Sequence, residues 1–290
     1  MAVKSWLIVG VGLAASLCAP AGAEENPFGY VYTADTEEPR ETELTLWATD
    51  RRGKDEGHYA AQDYRLEVER GISDRFQIAG YLNFASHHVR GLEPAFEDVQ
   101  HNLGFDGASL EFKYRLLDED RHGIGLAFYA EPGRSRFHDV EGEKGTEYEF
   151  ELKAIMSKSF AGGRLLWAGN LTLEPEWERE GELLASGRLG HSWEKELKMQ
   201  LTTGLAYRLT PNWYLGVEAR HASVYPDWTH GLHSEARAWS AGPTVAFNAG
   251  EWSASLTWLP QLAGGGTPHH DLSLDEFEKR EIRLKVSHEF

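Results

Sequence analysis

His221, Ser223 and Glu235 are the residues of this chain whose types and spacing could do chemistry. Positions i and i+2 of an extended strand share a face, so His221 and Ser223 would project side by side. An imidazole so placed can take the proton of the neighbouring hydroxyl. A carboxylate on the next strand can then hold the required tautomer. Glu235 opens the segment that follows and is the candidate for that third role. Leu215 and Val217 share the register of His221, so a substrate reaching such a site would be a lipid ester. The plainer reading is that a common triplet, His-Ala-Ser, marks where a strand leaves an apolar layer.

Other chemistry is sparse. His87-His88 and His269-His270, with His230 and His233, would meet on a metal only if their loops converged, and adjacent histidines on a strand point apart. There is no HExxH and no phosphate-binding glycine loop, so neither a metal nor another cofactor is expected. Asp and Glu number 46 against 29 Lys and Arg, a net charge of −17. Nucleic acid binding needs the opposite balance and is excluded as a class.

The elements that must carry these residues are strands. Period-two alternation recurs in twelve segments, and helical periodicity is almost absent. The segments are Glu41–Thr49, Gln62–Arg70, Arg75–Ala85, Gly107–Leu117, Gly123–Pro132, Thr146–Ser157, Arg164–Glu174, Lys195–Arg208, Asn212–Ala222, Glu235–Phe247, Trp252–Leu259 and Glu281–Phe290. One register is apolar, as in Leu44, Leu46, Leu66, Val68, Leu110, Phe112, Leu171, Leu201, Leu215 and Val217. At its segment centres it holds no charge, as a lipid-facing surface requires when a midplane Lys or Arg costs about 2–4 kcal/mol. The other register is too charged for a dry core. It predicts a lumen lined by Glu67, Glu111, Lys113, Arg115, Glu149, Glu151, Lys153, Lys198, Glu218, Arg220, Arg283 and Lys285, with acids and bases nearly balanced. Trp213, Trp239, Trp252, Trp258 and Tyr207 fall near segment ends, where interface girdles belong.

Connections alternate in length. Short turns lie at 71–74, 118–122, 160–163, 209–211 and 248–251, and longer links at 50–61, 86–106, 133–145, 175–194, 223–234 and 260–280. That sorting predicts an all-β fold: a transmembrane antiparallel up-and-down barrel of about twelve strands, with short periplasmic turns and long extracellular loops. The excess acid is expected in loops such as Glu174–Glu180 and Asp275–Glu278, where divalent cations could bridge to lipid phosphates.

Residues 1–23 read as a signal peptide, with Lys4, an apolar run from Trp6 to Leu17 and a small-residue site at Ala21-Gly22-Ala23. Residues 24–40 form a periplasmic N-terminal segment, and 41–290 the barrel. Asn26–Asp35 is too apolar for a tether, so it either tucks into the periplasmic mouth or adds to the wall. Phe290, closing the last strand, reads as a recognition element for the barrel-assembly machinery. Outer-membrane lipid and lipopolysaccharide are the other expected partners, with a small solute of unspecified kind.

Several stretches resemble a family of Gram-negative proteins described as outer-membrane barrels with a domain of unknown function. They are Phe28-Gly-Tyr-Val-Tyr-Thr-Ala-Asp-Thr36, Glu69–Phe76, Leu215–Arg220, Gly242-Pro243-Thr-Val and Trp252–Gln261. More loosely, the chain is similar to the outer-membrane transporter-like proteins of aromatic-compound degradation pathways. The resemblance implies a barrel in the outer membrane and supplies no catalytic residue. The His-x-Ser pattern is similar to that of outer-membrane phospholipases and lipid A deacylases, but Ala222-Ser-Val-Tyr-Pro226 lacks the Asn-Gly that follows the phospholipase Ser. The leading expectation is a non-enzymatic passive channel or uptake protein for small solutes. The alternatives are a lipid ester hydrolase using Ser223 and His221, and a sealed structural barrel whose acidic loops bind partners or cations.

Overall fold

The alternation of apolar and polar residues is realised as twelve antiparallel strands in a computed structural model, which describes residues 26–92, 98–140, 142–183, 189–265 and 271–290. They are β1 (Thr42–Arg52), β2 (His58–Ser73), β3 (Phe76–Arg90), β4 (Val99–Leu117), β5 (Gly125–Phe137) and β6 (Lys144–Phe160). The second half comprises β7 (Leu165–Leu183), β8 (Leu189–Arg208), β9 (Trp213–Pro226), β10 (Ala236–Ala249), β11 (Trp252–Gly265) and β12 (Arg280–Glu289). Each strand pairs with its sequence neighbours, and β12 returns to β1, with Leu46 opposite Val286 and Ala48 opposite Leu284. The sheet is therefore a closed barrel with no free edge. Among the described residues no helix is long and apolar enough to cross a membrane.

The apolar register faces outward. Leu46, Leu110, Leu171, Leu201, Leu215 and Val217 are all exposed on the outer wall. Trp213, Trp252 and Tyr207 are exposed near the end that holds the tight turns and Trp239 near the other, whereas Trp258, expected at a segment end, is exposed midway along β11 because that strand continues to Gly265. The turn end is closed by connections such as Asp74-Arg75 and Gly250-Glu251, and by a single helical turn, α1 (Glu119–His122), capped by the Asp118 side chain. Asp118 accepts from the Arg121 N–H, and Gly123 ends the turn in the left-handed region, where the lack of a Cβ removes the steric cost.

Strands run further toward the loop end than the alternation suggested, because β2, β3, β4, β7 and β8 continue their ladders into the expected loops. This corrects the placement of the acidic stretch Glu174–Glu180. It lies within β7 and pairs with β8, so Glu174 and Glu176 point inward rather than waiting in a loop for cations.

Candidate functional site

The interior is built in layers, each from inward residues of several strands. At the loop end Arg51 is the hub. Its guanidinium donates to Asp63 at 2.8 Å, to the Asp139 carboxylate at 2.9 Å and to Glu278 at 3.2 Å. Asp139 belongs to the β5–β6 connection and Glu278 to the β11–β12 connection, so two loops are drawn into the mouth. Tyr59 and His87 hold the same β5–β6 connection through the carbonyls of Val140 and Asp139. Burial opposes the charge on Asp139, but Arg51 and Lys198 prevail and hold its carboxyl well below the usual carboxylate range.

The middle layer joins aromatic rings to ion pairs. Glu67 accepts from the Trp47 indole and the Tyr81 hydroxyl, each at 2.6 Å, and Tyr81 also reaches Glu111. Arg65 pairs with Glu131, which also accepts from Ser109 and Tyr129. Lys153 pairs with Glu151, and Arg220 with Glu281. Lys285 lies 4.3 Å from the centre of the Trp47 ring, and Lys153 lies 4.2 Å from that of Tyr129.

Nearer the turn end the lumen is crossed by the chain's own residues 26–37. The wall holds this segment chiefly by its backbone. Glu218 accepts the N–H groups of Gly29 and Tyr30 at 2.8 and 2.7 Å. Asn170 accepts from Tyr32 N–H and donates back to Tyr32 O, both at 2.8 Å. Ser157 accepts from Ala34 N–H, and Gln77 from Glu37 N–H. Phe28 is fully buried against Val31, Leu166, Ala168 and Ala206. The space for its ring exists because residue 204 is glycine, where a Cβ would stand 2.6 Å from the ring. Tyr30 lies beneath Arg283 at 4.1 Å, and Tyr32 beneath Lys153 at 4.6 Å. Burial pushes both phenols well above their ordinary range, so they remain neutral.

Among the cavities that adjoin these layers, two lie within the lumen. One, of about 170 Å³, lies toward the loop end and is lined by Asp63, Arg65, Glu131, Glu147, Glu149 and Glu174 among others. The other, of about 100 Å³, lies toward the turn end, between Glu37, Trp47, Glu67, Glu69, Lys113 and Lys285. Each has room for several waters. Arg115 sits at the rim of the turn end, 3.8 Å from both Asp35 and Asp118. Lys198 pairs with Glu176 at 2.9 Å.

The candidate relay at the outer wall is not assembled. His221 stands opposite Leu201 on one side and Trp239 on the other, with its ring 4.4 Å from the indole. Ser223 is buried between Met199 and Arg237 on neighbouring strands, and Glu235 is exposed beyond the start of β10. Trp239 holds the place where an orienting carboxylate would have to be, four residues from Glu235. At about 3.3 Å rise per residue the gap is on the order of 13 Å. Among the described residues no hydrogen bond joins the three. Among the described residues the candidate histidines do not converge: His87 is buried and contacts His101 at 3.0 Å, and His230 and His233 are exposed on the β9–β10 connection, while His269 and His270 lie outside the described residues, as does the expected signal peptide.

A family model matches residues 20–290. The chain belongs to the family of unknown function DUF6662. No curated protein matches its sequence. The family's barrel has relatives among solved structures. The COG4313 outer membrane channel from Pseudomonas putida F1 is 14% identical with a TM-score of 0.59, over 89% of this chain and 98% of that one. The beta domain of the Bordetella autotransporter BrkA is 10% identical at 0.56, over 87% and 100%. The translocator domain of the autotransporter NalP from Neisseria meningitidis is 11% identical at 0.51, over 89% and 90%. At these identities what is shared is the fold, that of outer-membrane β-barrels.

The expected lumen lining consists of charged residues alone, which leaves out its aromatic residues Trp47, Tyr81 and Tyr129, and Tyr59 falls in the expected 50–61 link. Their signal was parity: Trp47 lies between the outward Leu46 and Ala48, and Tyr81 one residue from Leu82. Tyr30 and Tyr32 carried no such signal, since their partners come from distant strands.

Proposed function

We propose that the protein is a narrow outer-membrane channel for small polar solutes, and that residues 26–37 are its plug. One observation carries this reading. The barrier nearest the turn end is a chain segment tied to the barrel covalently only through Glu41, not a set of wall side chains. Its hold consists largely of hydrogen bonds to polar residues of the lumen, which water can replace. A wall built only to be sealed would need no chambers with room for water on both sides of such a segment. Carboxylates dominate the chamber toward the loop end, so cations should pass before anions. The lipid-facing register supports insertion in the outer membrane, with turns and termini on the periplasmic side.

Single-channel recording in planar bilayers tests the reading. Full-length protein should give infrequent, cation-selective steps, and Glu218→Ala should make them frequent. Absence of any step from both proteins would sink the channel and leave the sealed barrel in its place.

A further inference from the structure

At the loop end, charge on β5 to β8 is sorted by face. The acids Glu147, Glu149 and Glu176 take the inward positions. The bases Arg134, Arg179 and Lys195 take outward positions among aromatic residues. Arg134 is opposite Tyr148, Tyr148 opposite Trp177, Trp177 opposite Lys195, and Arg179 opposite Trp193, so each pair shares the outer face. Tyr148 and Trp193 are exposed with ring centres 6.0 Å apart, and the Arg134 guanidinium lies 5.7 Å from the Tyr148 ring.

On β6, Tyr148 and Phe160 are the aromatic residues at either end of the outward register, and the apolar run between them is broken only by Lys158 beside Phe160. At about 3.3 Å per residue and a tilt of about 40°, they stand roughly 30 Å apart across the barrel, which places the Tyr148 row at the upper edge of the lipid layer. The three bases thus emerge at headgroup depth. None has a carboxylate partner among the described residues. In a chain of net charge −17 this is a place where positive charge stands uncompensated beside exposed rings.

We infer that this patch binds the phosphate of an outer-leaflet glycolipid, with the aromatic rings against its acyl and sugar portions and the three bases around the anion. Guanidinium groups pair bidentately with phosphate oxygens, and amphipathic rings favour the boundary between chain and headgroup. The inference does not depend on whether the lumen conducts.

The test is native mass spectrometry of the full chain released from neutral micelles containing diphosphorylated lipid A or its dephosphorylated form. Wild-type protein should retain the phosphorylated lipid at least about tenfold better than the triple variant Arg134→Gln/Arg179→Gln/Lys195→Gln. Retention should return in Arg134→Lys/Arg179→Lys/Lys195→Arg, and heat-dependent gel migration confirms that each variant is folded. Equal retention by the Gln variant, or no preference for the phosphorylated lipid, overturns the proposal. Retention of inorganic phosphate as strong as that of the phosphorylated lipid also overturns it, since the site would then be one for the free anion.

Discussion

Replacing Glu218 by Ala should release residues 26–37 from the wall while leaving the barrel intact. Glu218 is buried and accepts three bonds, from Gly29 N–H, Tyr30 N–H and the Thr257 hydroxyl. Two of these hold the plug. Bonds to a charged acceptor are worth about 1.5–3 kcal/mol each. Water entering a polar lumen recovers part of that loss, leaving about 2–3 kcal/mol. The ratio of released to latched molecules should therefore rise about 30- to 150-fold. Thr33, buried in the middle of the segment, reports the change when replaced by Cys in a Cys18→Ser background. Reaction of Thr33→Cys with a membrane-impermeant maleimide should accelerate by that factor in the Glu218→Ala protein, while gel migration of the unheated barrel stays as in the parent. Unchanged labelling in a folded barrel would refute the assignment of Glu218 as the latch.

Other consequences use the same readouts. Gly204→Val places carbon where the Phe28 ring lies, an overpacking worth about 1–3 kcal/mol, and should expose Thr33→Cys without weakening the heat-resistant barrel. Burial, with repulsion from Glu43 and Glu41, raises Glu37 to about 7, against Lys113 and a hydrogen bond with Glu69 that lower it. The latched state therefore holds the proton more tightly. Its contribution is complete below the ordinary carboxylate pKa and is lost as pH rises through about 7, so labelling, divided at each pH by that of a free thiol, should be slow at pH 5 and fast at pH 8. Glu37→Gln should flatten that profile. Leu171→Arg, midway along the outward register of β7, should cost about 2–4 kcal/mol in lipid and reduce the yield of folded barrel, whereas Asn170→Ser should spare the yield and loosen the plug.

The outer wall was legible in the sequence because lipid tolerates so little: Leu171, Leu201 and Val217 could stand nowhere else, and their parity fixed the strand count. Strand ends were not legible. Above the lipid both faces become polar, and the alternation that marked β7 up to Glu174 fades although the ladder continues to Leu183. The pairing of lumen charges was beyond reach for another reason. Arg51 meets Glu278 across 227 residues, and only the closed ring brings them together. His221 and Ser223 show the converse, a local spacing that suggested chemistry and a neighbouring register that supplied Trp239 where a carboxylate was needed.

The bond from Gly29 to Glu218 joins residues 189 positions apart, and Glu218 can stand across the lumen only after β12 has paired with β1. Residues 26–37, although they precede every strand, are thus among the last to find their places during assembly. Contacts formed after the rate-limiting step contribute to the lifetime of the native state without hastening its formation. Substitutions in residues 26–37 should therefore leave insertion kinetics untouched, and in native-state hydrogen exchange their amides should open well before those of the strands around them.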